Sequence, residues 1–337
     1  MLKITEYDLQ TTITGLGSYL PEKILTNADL EKMVDTSNEW IIERTGVSER
    51  RILSKEESSS TMGAEAALAA IRAADISVKS IDLIIVATCS PDGMFPSTAN
   101  RIQAIIGAKN AVCFDINSAC NGFLSGLIVG NSLINSKQYN NALIIGSEAL
   151  SRLVDWSDRN TCVLFGDGAG AVILEKSKND AFGIVDFQFG SDGNNGDLLF
   201  ATGPGSIKNE LVKEAKIIMD GQNVFKHAVN TMSAVTKDLL KQTNLTIEDI
   251  DLCIPHQANI RILNAIAKNL SIDEGAMFSN VNKYGNTSAA SIPIALTEAF
   301  YANMLNEGDT LLFTAFGAGL NWGSVILNWG QINKPEK

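Results

Sequence analysis

Histidine is scarce in this chain: His227 and His256 are the only two among 337 residues. Any chemistry that needs an imidazole therefore has two places to start. Cysteine shows no pairing pattern. The five residues Cys89, Cys113, Cys120, Cys162 and Cys253 are odd in number, and no CxxC or Cys/His spacing supports a disulfide framework or a zinc site. Cys113, Cys162 and Cys253 lie in apolar, strand-like runs and read as small core residues. No apolar run approaches the roughly 20 residues of a membrane helix; the stretch around Gly122–Gly130 is broken by glycine and polar residues. The opening MLKITEYDLQ has no basic stretch followed by an apolar one, so no signal peptide is expected and the expected location is cytoplasmic. Positive charge is in deficit. A net charge of −11 argues against general affinity for nucleic acid or an anionic membrane. Aromatic residues are sparse at 7 %, which suits close-packed α/β layers better than an aromatic-rich binding module.

What is present is the composition of a globular enzyme, 45 % hydrophobic and 19 % charged. Strand-like and helix-like segments alternate, which predicts an α/β fold with mainly buried strands. Strands are expected at Thr12–Gly17, Asp82–Cys89, Ala111–Ile116, Ala142–Ser147, Ala169–Leu174, Leu252–Pro255, Thr310–Phe316 and Ser324–Leu327. Helices are expected at Ser60–Ala74, Asn121–Ile134, Val224–Gln242, Ile260–Asn269 and Ser288–Met304. A faint repeat runs through this pattern. Ile81-Asp82-Leu83 and Ile250-Asp251-Leu252 each open a buried strand. At the same offset, Asn117-Ser118-Ala119 and Asn286-Thr287-Ser288-Ala289 each precede an apolar helix. Phe165-Gly166-Asp167-Gly168 and Phe316-Gly317-Ala318-Gly319 each lead to an apolar triplet. Two similar α/β halves are expected, residues 1–180 and 181–337, with a site between them.

Four segments carry chemistry. In Phe114–Phe123 a buried strand ends, small residues turn, and Cys120 sits where a helix begins. Unpaired N–H groups and the helix dipole there favour a thiolate. A structural cysteine at a strand–helix junction would read the same way. His256 follows the apolar strand Leu252–Pro255, the end of a strand at which open α/β sheets bind ligands. His227, inside the amphipathic stretch Val224–Leu240, reads as a helix-surface or packing residue. Asn286 precedes a helix of small residues. It fits either a helix cap or, by the repeat, an amide facing the site between the halves. Last, Phe316–Gly323 places small residues after a buried strand, where backbone N–H groups reach a ligand.

Together, SACNGF, PHQANIRI, GNTSAAS and FGAGLNWGS, in that order, resemble the β-ketoacyl-[acyl carrier protein] synthase III family. NEWIIERTGVSERRI (Asn38–Ile52), MFPSTANRIQ (Met94–Gln103) and DRNTCVLFGDGAGAVIL (Asp158–Leu174) extend the resemblance from about Thr12 to Asn328. It implies a thiolase fold, two similar α/β halves in an αβαβα arrangement. It also implies a transferase of fatty acid biosynthesis that condenses an acyl-CoA with malonyl-acyl carrier protein through an acyl-cysteine. By this resemblance Cys120 is the nucleophile, His256 and Asn286 complete the catalytic set, and the N–H groups of Cys120 and Ala318 form the oxyanion hole. CoA would be held by Trp40, Arg44 and Arg159 at a tunnel mouth and by Gln222, Phe225 and Asn259 within it. Gln257, Arg261, Lys226 and Lys268 would face the carrier protein. Phe95, Cys89, Leu150 and Phe165 would wall the acyl pocket, with Phe95 reaching across a homodimer interface. No metal or redox cofactor is implied. The family often has asparagine at the position of Gln222, threonine at Cys89 and a small residue at Asn121, which leaves starter preference open.

Other readings divide by residue. Thiolases use a second catalytic cysteine motif, and none is present here. Hydroxymethylglutaryl-CoA synthases rely on a glutamate, and chalcone-synthase-like enzymes lack the WIIERTG and FGAGLNWGS forms. A synthase III relative of a secondary-metabolite pathway stays open on motifs alone. A cysteine hydrolase would release free acid, and a binding protein would form no acyl-enzyme.

Overall fold

The apolar runs pair into two sheets in a computed structural model that describes residues 10–203, 215–273 and 275–332. The first sheet has the strand order Thr11–Tyr19, Asp167–Lys176, Asn141–Ala149, Leu83–Ala87, Val112–Ile116. Leu83–Ala87 runs parallel to both its neighbours, while the pairings of Asp167–Lys176 are antiparallel. The second sheet has the order Leu252–Pro255, Thr310–Gly317, Asn321–Asn328, Gly183–Ser191. Leu252–Pro255 is parallel to Thr310–Gly317 and the remaining pairs are antiparallel. Both sheets thus follow one plan, and their strands come from residues 11–176 and 183–328 respectively.

Two helices, Gly122–Asn135 and Ser291–Tyr301, lie between the sheets. Their side chains Phe123, Leu127, Ile292 and Leu296 share one core with Ile85 of the first sheet and Phe313 and Val325 of the second. The neighbours Ile84 and Val86 enter a different core, packed against the outer helices Ser59–Ala73 and Thr98–Ile106. A strand buried on both faces reads as a continuous apolar run, which is what Leu83–Ala87 shows. Gly221–Thr243 covers the second sheet, and Ile260–Leu270 packs against that helix. The layers are therefore αβαβα.

The sequence repeat is visible in the local chemistry. Asp82 and Asp251, at the start of equivalent strands, each accept a backbone N–H, from Asn140 at 2.8 Å and Thr310 at 2.7 Å. The central helices are entered alike. Each follows a short 3-10 turn, Ala119–Asn121 or Ser288–Ala290, whose first residue has positive φ, 44° at Ala119 and 48° at Ser288. The second turn presses on the first sheet: a Cβ on Gly146, in the strand Asn141–Ala149, would stand 2.2 Å from the Ala289 carbonyl oxygen. Only glycine allows that approach.

Several elements go beyond the sequence reading. Gly183–Ser191 forms an edge strand, and Asn38–Thr45 and Thr98–Ile106 are helical. Cys162 and Cys253 are fully buried as expected, but Cys113 is half-buried on the edge strand Val112–Ile116. No helix among the described residues is long and apolar enough to cross a membrane.

Candidate active site

The strand Val112–Ile116 ends at Asn117, whose side-chain oxygen accepts the Ala119 N–H at 3.2 Å. This forces a tight turn with Ala119 in the left-handed region, a strained conformation of the kind found at functional turns. Cys120 follows, in the short turn ahead of the helix rather than in the helix's first turn. The expected thiolate-favouring environment is only partly present. Burial pushes the Cys120 thiol up to about 12 and Glu148 pushes in the same direction, while the Ser288 hydroxyl pulls it down. Opposite lies Gly317, where a Cβ would come within 2.7 Å of the Cys120 nitrogen. Gly317→Ala is therefore expected to shift the nucleophile and slow its acylation by about 10²-fold, read as the rate of adduct formation by intact mass.

His256 ends the strand Leu252–Pro255, and its N–H donates to the Thr314 carbonyl at 2.8 Å. The ring is fixed from behind. Nδ1 bonds the Ser291 hydroxyl at 2.7 Å, and that oxygen also accepts the Gln257 N–H at 3.3 Å. With Ser291 as the donor in the Nδ1 bond, the neutral ring carries its proton on Nε2. Burial holds the ring down to about 3, so it is neutral at ordinary pH. Asn286 is held by its backbone, N–H to Leu164 and carbonyl to the Gly166 N–H. Its side-chain oxygen accepts the Ser288 N–H at 2.8 Å, the mirror of Asn117 in the other half. Capping occupies the oxygen and leaves the amide N–H₂ unused by that bond.

Cys120, His256, Asn286 and Ala318 all line one cavity of about 1790 Å³. So do Cys89, Leu150 and Phe165, and Trp40, Arg44, Gln222, Phe225, Asn259 and Arg261. Trp40 is flanked by two guanidinium groups, Arg44 at 5.9 Å and Arg159 at 5.2 Å from the ring centroid. Arg261 lies over Phe225 at 5.7 Å. Arg159, Lys226 and Lys268 are exposed but outside the lining, and Phe95 projects outward, 84 % exposed.

Gln257 requires a correction. It is 1 % exposed, and its amide is spent inside, donating to Pro255 and Phe278 carbonyls and accepting the Asn280 N–H. It has no surface to offer a carrier protein; it braces the loop after His256. Three cavity or supporting residues were not singled out from sequence: Ser288, Ser291 and Glu148. A glutamate inside the largely apolar run Ala142–Leu150 was a usable signal, since carboxylates are almost never fully buried without a reason.

Comparison with known proteins bears on the same segments. The family described as 3-oxoacyl-[acyl-carrier-protein (ACP)] synthase III matches residues 114–193, and its C-terminal counterpart matches residues 240–329. The β-ketoacyl-[acyl-carrier-protein] synthase III of Caldanaerobacter subterraneus is 48 % identical over 95 % of this chain and 98 % of its own. The chain belongs to the β-ketoacyl-[acyl carrier protein] synthase III family. The relative of that name from Clostridium acetobutylicum is also 48 % identical, over 94 % of this chain and 98 % of its own. The crystal structure of the Aquifex aeolicus 3-oxoacyl-[acyl-carrier-protein] synthase III superposes with a TM-score of 0.90 at 47 % identity, covering 95 % of this chain and 100 % of that one. The fold is accordingly the thiolase fold of the synthase III enzymes. The first matched segment carries Cys120, Leu150 and Phe165; the second carries His256, Asn259, Asn286 and Ala318.

Proposed function

We propose that this synthase III initiates fatty acid synthesis by decarboxylative condensation of a short acyl-CoA, such as acetyl-CoA, with malonyl-acyl carrier protein. The observation that carries the reading is the meeting of Cys120, His256 and Asn286, from three separate segments, in one cavity whose mouth bears Trp40 and Arg44. Cys120 attacks the acyl-CoA thioester and becomes acylated. The N–H groups of Cys120 and Ala318 hold the tetrahedral oxyanion, a contribution of about 2.7–4 kcal/mol per donor. Malonyl-acyl carrier protein then loses CO₂, which drives the step without a metal or redox cofactor. Nε2–H of His256 and the Asn286 amide donate to the enolate oxygen, and its carbon attacks the acyl-cysteine. The indole of Trp40, flanked by Arg44 and Arg159, receives adenine and phosphate, while Gln222, Phe225 and Asn259 line the pantetheine path. The test is intact mass after incubation with a panel of acyl-CoAs, followed by malonyl-acyl carrier protein. An adduct that discharges as a β-ketoacyl product with CO₂ release supports the reading; wild-type protein loaded by no acyl-CoA overturns it.

The carrier protein is acidic and so is this chain. Docking then rests on a local basic patch, in which Arg261 at the mouth is joined by exposed Lys226 and Lys268. Arg261→Glu is expected to raise KM for malonyl-acyl carrier protein about tenfold or more and to leave acyl-CoA loading unchanged. Equal KM values for mutant and wild type would remove the patch from the mechanism.

The reading also includes a homodimer. Phe95 and Met94 are 84 % and 71 % exposed, and a partner copy is what would cover them and let Phe95 close its acyl pocket.

A further inference from the structure

The largest fully buried side chain among the described residues carries a charge. Arg50, in the strand Glu49–Arg51, is 0 % exposed, and no carboxylate among the described residues pairs with it. Burial holds its guanidinium down to about 10, which leaves it protonated at neutral pH. Nε has no acceptor among the described residues; the hydrogen bonds come from the two Nη groups. Nη1 donates to the Leu25 carbonyl at 3.2 Å and the Asn27 side-chain oxygen at 2.8 Å, and Nη2 donates to the Val163 carbonyl at 2.7 Å. An apolar side chain of similar volume would fill the same space without burying a charge. What Arg50 adds is its fork of donors.

The acceptors lead to two different parts of the site. Asn27 is itself 1 % exposed, and its Nδ2 donates to the Asn38 side-chain oxygen at 3.1 Å and the Val47 carbonyl at 2.9 Å. Asn38 opens the helix Asn38–Thr45, and Val47 lies just past the Gly46 that stops it. One amide thus ties both ends of the helix that carries Trp40 and Arg44. On the other side, Val163 precedes Leu164, whose carbonyl accepts the Asn286 N–H at 2.8 Å, and the Gly166 N–H donates to the Asn286 carbonyl at 3.0 Å. This joint is close-packed. A Cβ on Gly166 would stand 2.3 Å from the Tyr284 carbonyl oxygen and 3.2 Å from Arg50 Cβ.

We infer that Arg50 is a positioning residue whose guanidinium fixes the mouth helix, through Asn27, and the Asn286 amide, through the Val163–Gly166 segment, in one geometry. The planar fork suits that task. Its two Nη groups keep a fixed angle, so acceptors from separate segments are set relative to each other, which a flexible ammonium does not achieve. The mouth holds the CoA end of the substrate and the Asn286 amide serves the reacting end, a division that rests on the function proposed above. The spacing between them then governs whether thioester and amide meet, and a misplacement of about 1 Å costs on the order of 10² in rate. The nucleophile is built separately, by the Asn117 turn and the approach of Gly317. Arg50 therefore acts on CoA affinity and on condensation, and not on the attack by Cys120.

The experiment titrates CoA by calorimetry and measures, in single turnovers at saturating substrate, acylation by acetyl-CoA and then condensation with malonyl-acyl carrier protein. It compares wild type with Asn27→Ala, Arg50→Met and Arg50→Lys, each with a thermal melt. Asn27→Ala severs the mouth arm alone and is expected to weaken CoA binding about fivefold, with both rates near wild type. Arg50→Met severs both arms. It is expected to weaken CoA binding to the same degree and to slow condensation at least about tenfold, with saturated acylation near wild type. Arg50→Lys keeps the charge without the fork and is expected to resemble Arg50→Met; full recovery by lysine would assign the effect to charge and overturn the proposal. Unchanged CoA affinity in Asn27→Ala overturns it too, whether or not the Arg50 variants fold. So does an Arg50→Met that melts lower with affinity and rates unchanged, or one whose acylation falls as far as its condensation, the pattern of general loosening. Wild type that binds CoA but is loaded by no acyl-CoA would overturn the proposed function, and the CoA affinity of Asn27→Ala would still decide the mouth arm.

Discussion

Cys120→Ala is expected to lower turnover by at least about 10⁴-fold and to abolish the acyl adduct, with the melting temperature nearly unchanged. The reasoning starts from the absence of a substitute nucleophile. Cys89 lines the same cavity, but burial and the neighbouring Glu148 push its thiol far above the usual cysteine range, and its S–H is donated to that carboxyl. Ser288 and Asn286 are bound into the entry of the second helix by positive φ and by their own hydrogen bond. Cys120 is different in placement: its turn is strained, its backbone abuts the close approach at Gly317, and a helix begins two residues later. Removing one sulfur leaves those supports intact, so chemistry and stability should separate cleanly. Intact mass after acetyl-CoA, with a melt on the same sample, checks both. An adduct persisting in Cys120→Ala would transfer the nucleophilic role to Cys89.

The fold was legible in the sequence because its strands are buried on both faces and its halves repeat. Leu83–Ala87 and Leu252–Pro255 are uninterrupted apolar runs, and the repeated Asp82 and Asp251 tie strand entries by the same bond. Gly183–Ser191 was missed for the converse reason. At the sheet edge, most of its residues are half-exposed and its apolar positions alternate with aspartate, glutamine and glycine. The helix Asn38–Thr45, eight residues long and stopped by Gly46 at a φ of 75°, is too short for its period to stand out. In the site, histidine declared itself through rarity, and cysteine and asparagine through the motifs around them. The supporting shell did not. Ser291 matters because it faces Nδ1 of a residue 35 positions away, and Gln257, which looked like a surface contact, is turned inward by partners at Phe278 and Asn280. Such pairings are set by tertiary packing and leave no spacing to read.

The second large effect is expected from His256 and Asn286, and it should fall on one half-reaction only. Each donates to an oxygen that becomes negative as CO₂ leaves, and loss of one such donor costs about 10²–10³ in rate. Asn286→Ala and His256→Ala should therefore slow condensation by that factor while leaving single-turnover acylation of Cys120 within a few-fold of wild type. The pH dependence follows from the depressed imidazole. With the ring held down to about 3 in the folded protein against an ordinary value near 6.5, Nε2–H persists unchanged as a neutral donor throughout pH 5 to 8. Condensation should show no acid limb near 6.5. The same shift affects folding. Between pH 6.5 and 3 the unfolded chain binds a proton at His256 that the native state refuses, so stability contributed at neutral pH is lost as pH falls through that window. Acylation and condensation rates measured separately from pH 5 to 8, beside melts over the same range extended to pH 4, test both consequences. If acylation fell together with condensation in His256→Ala, the imidazole would be the acceptor of the Cys120 proton. The half-reaction that responds to His256 thus decides whether the imidazole serves condensation alone or both steps.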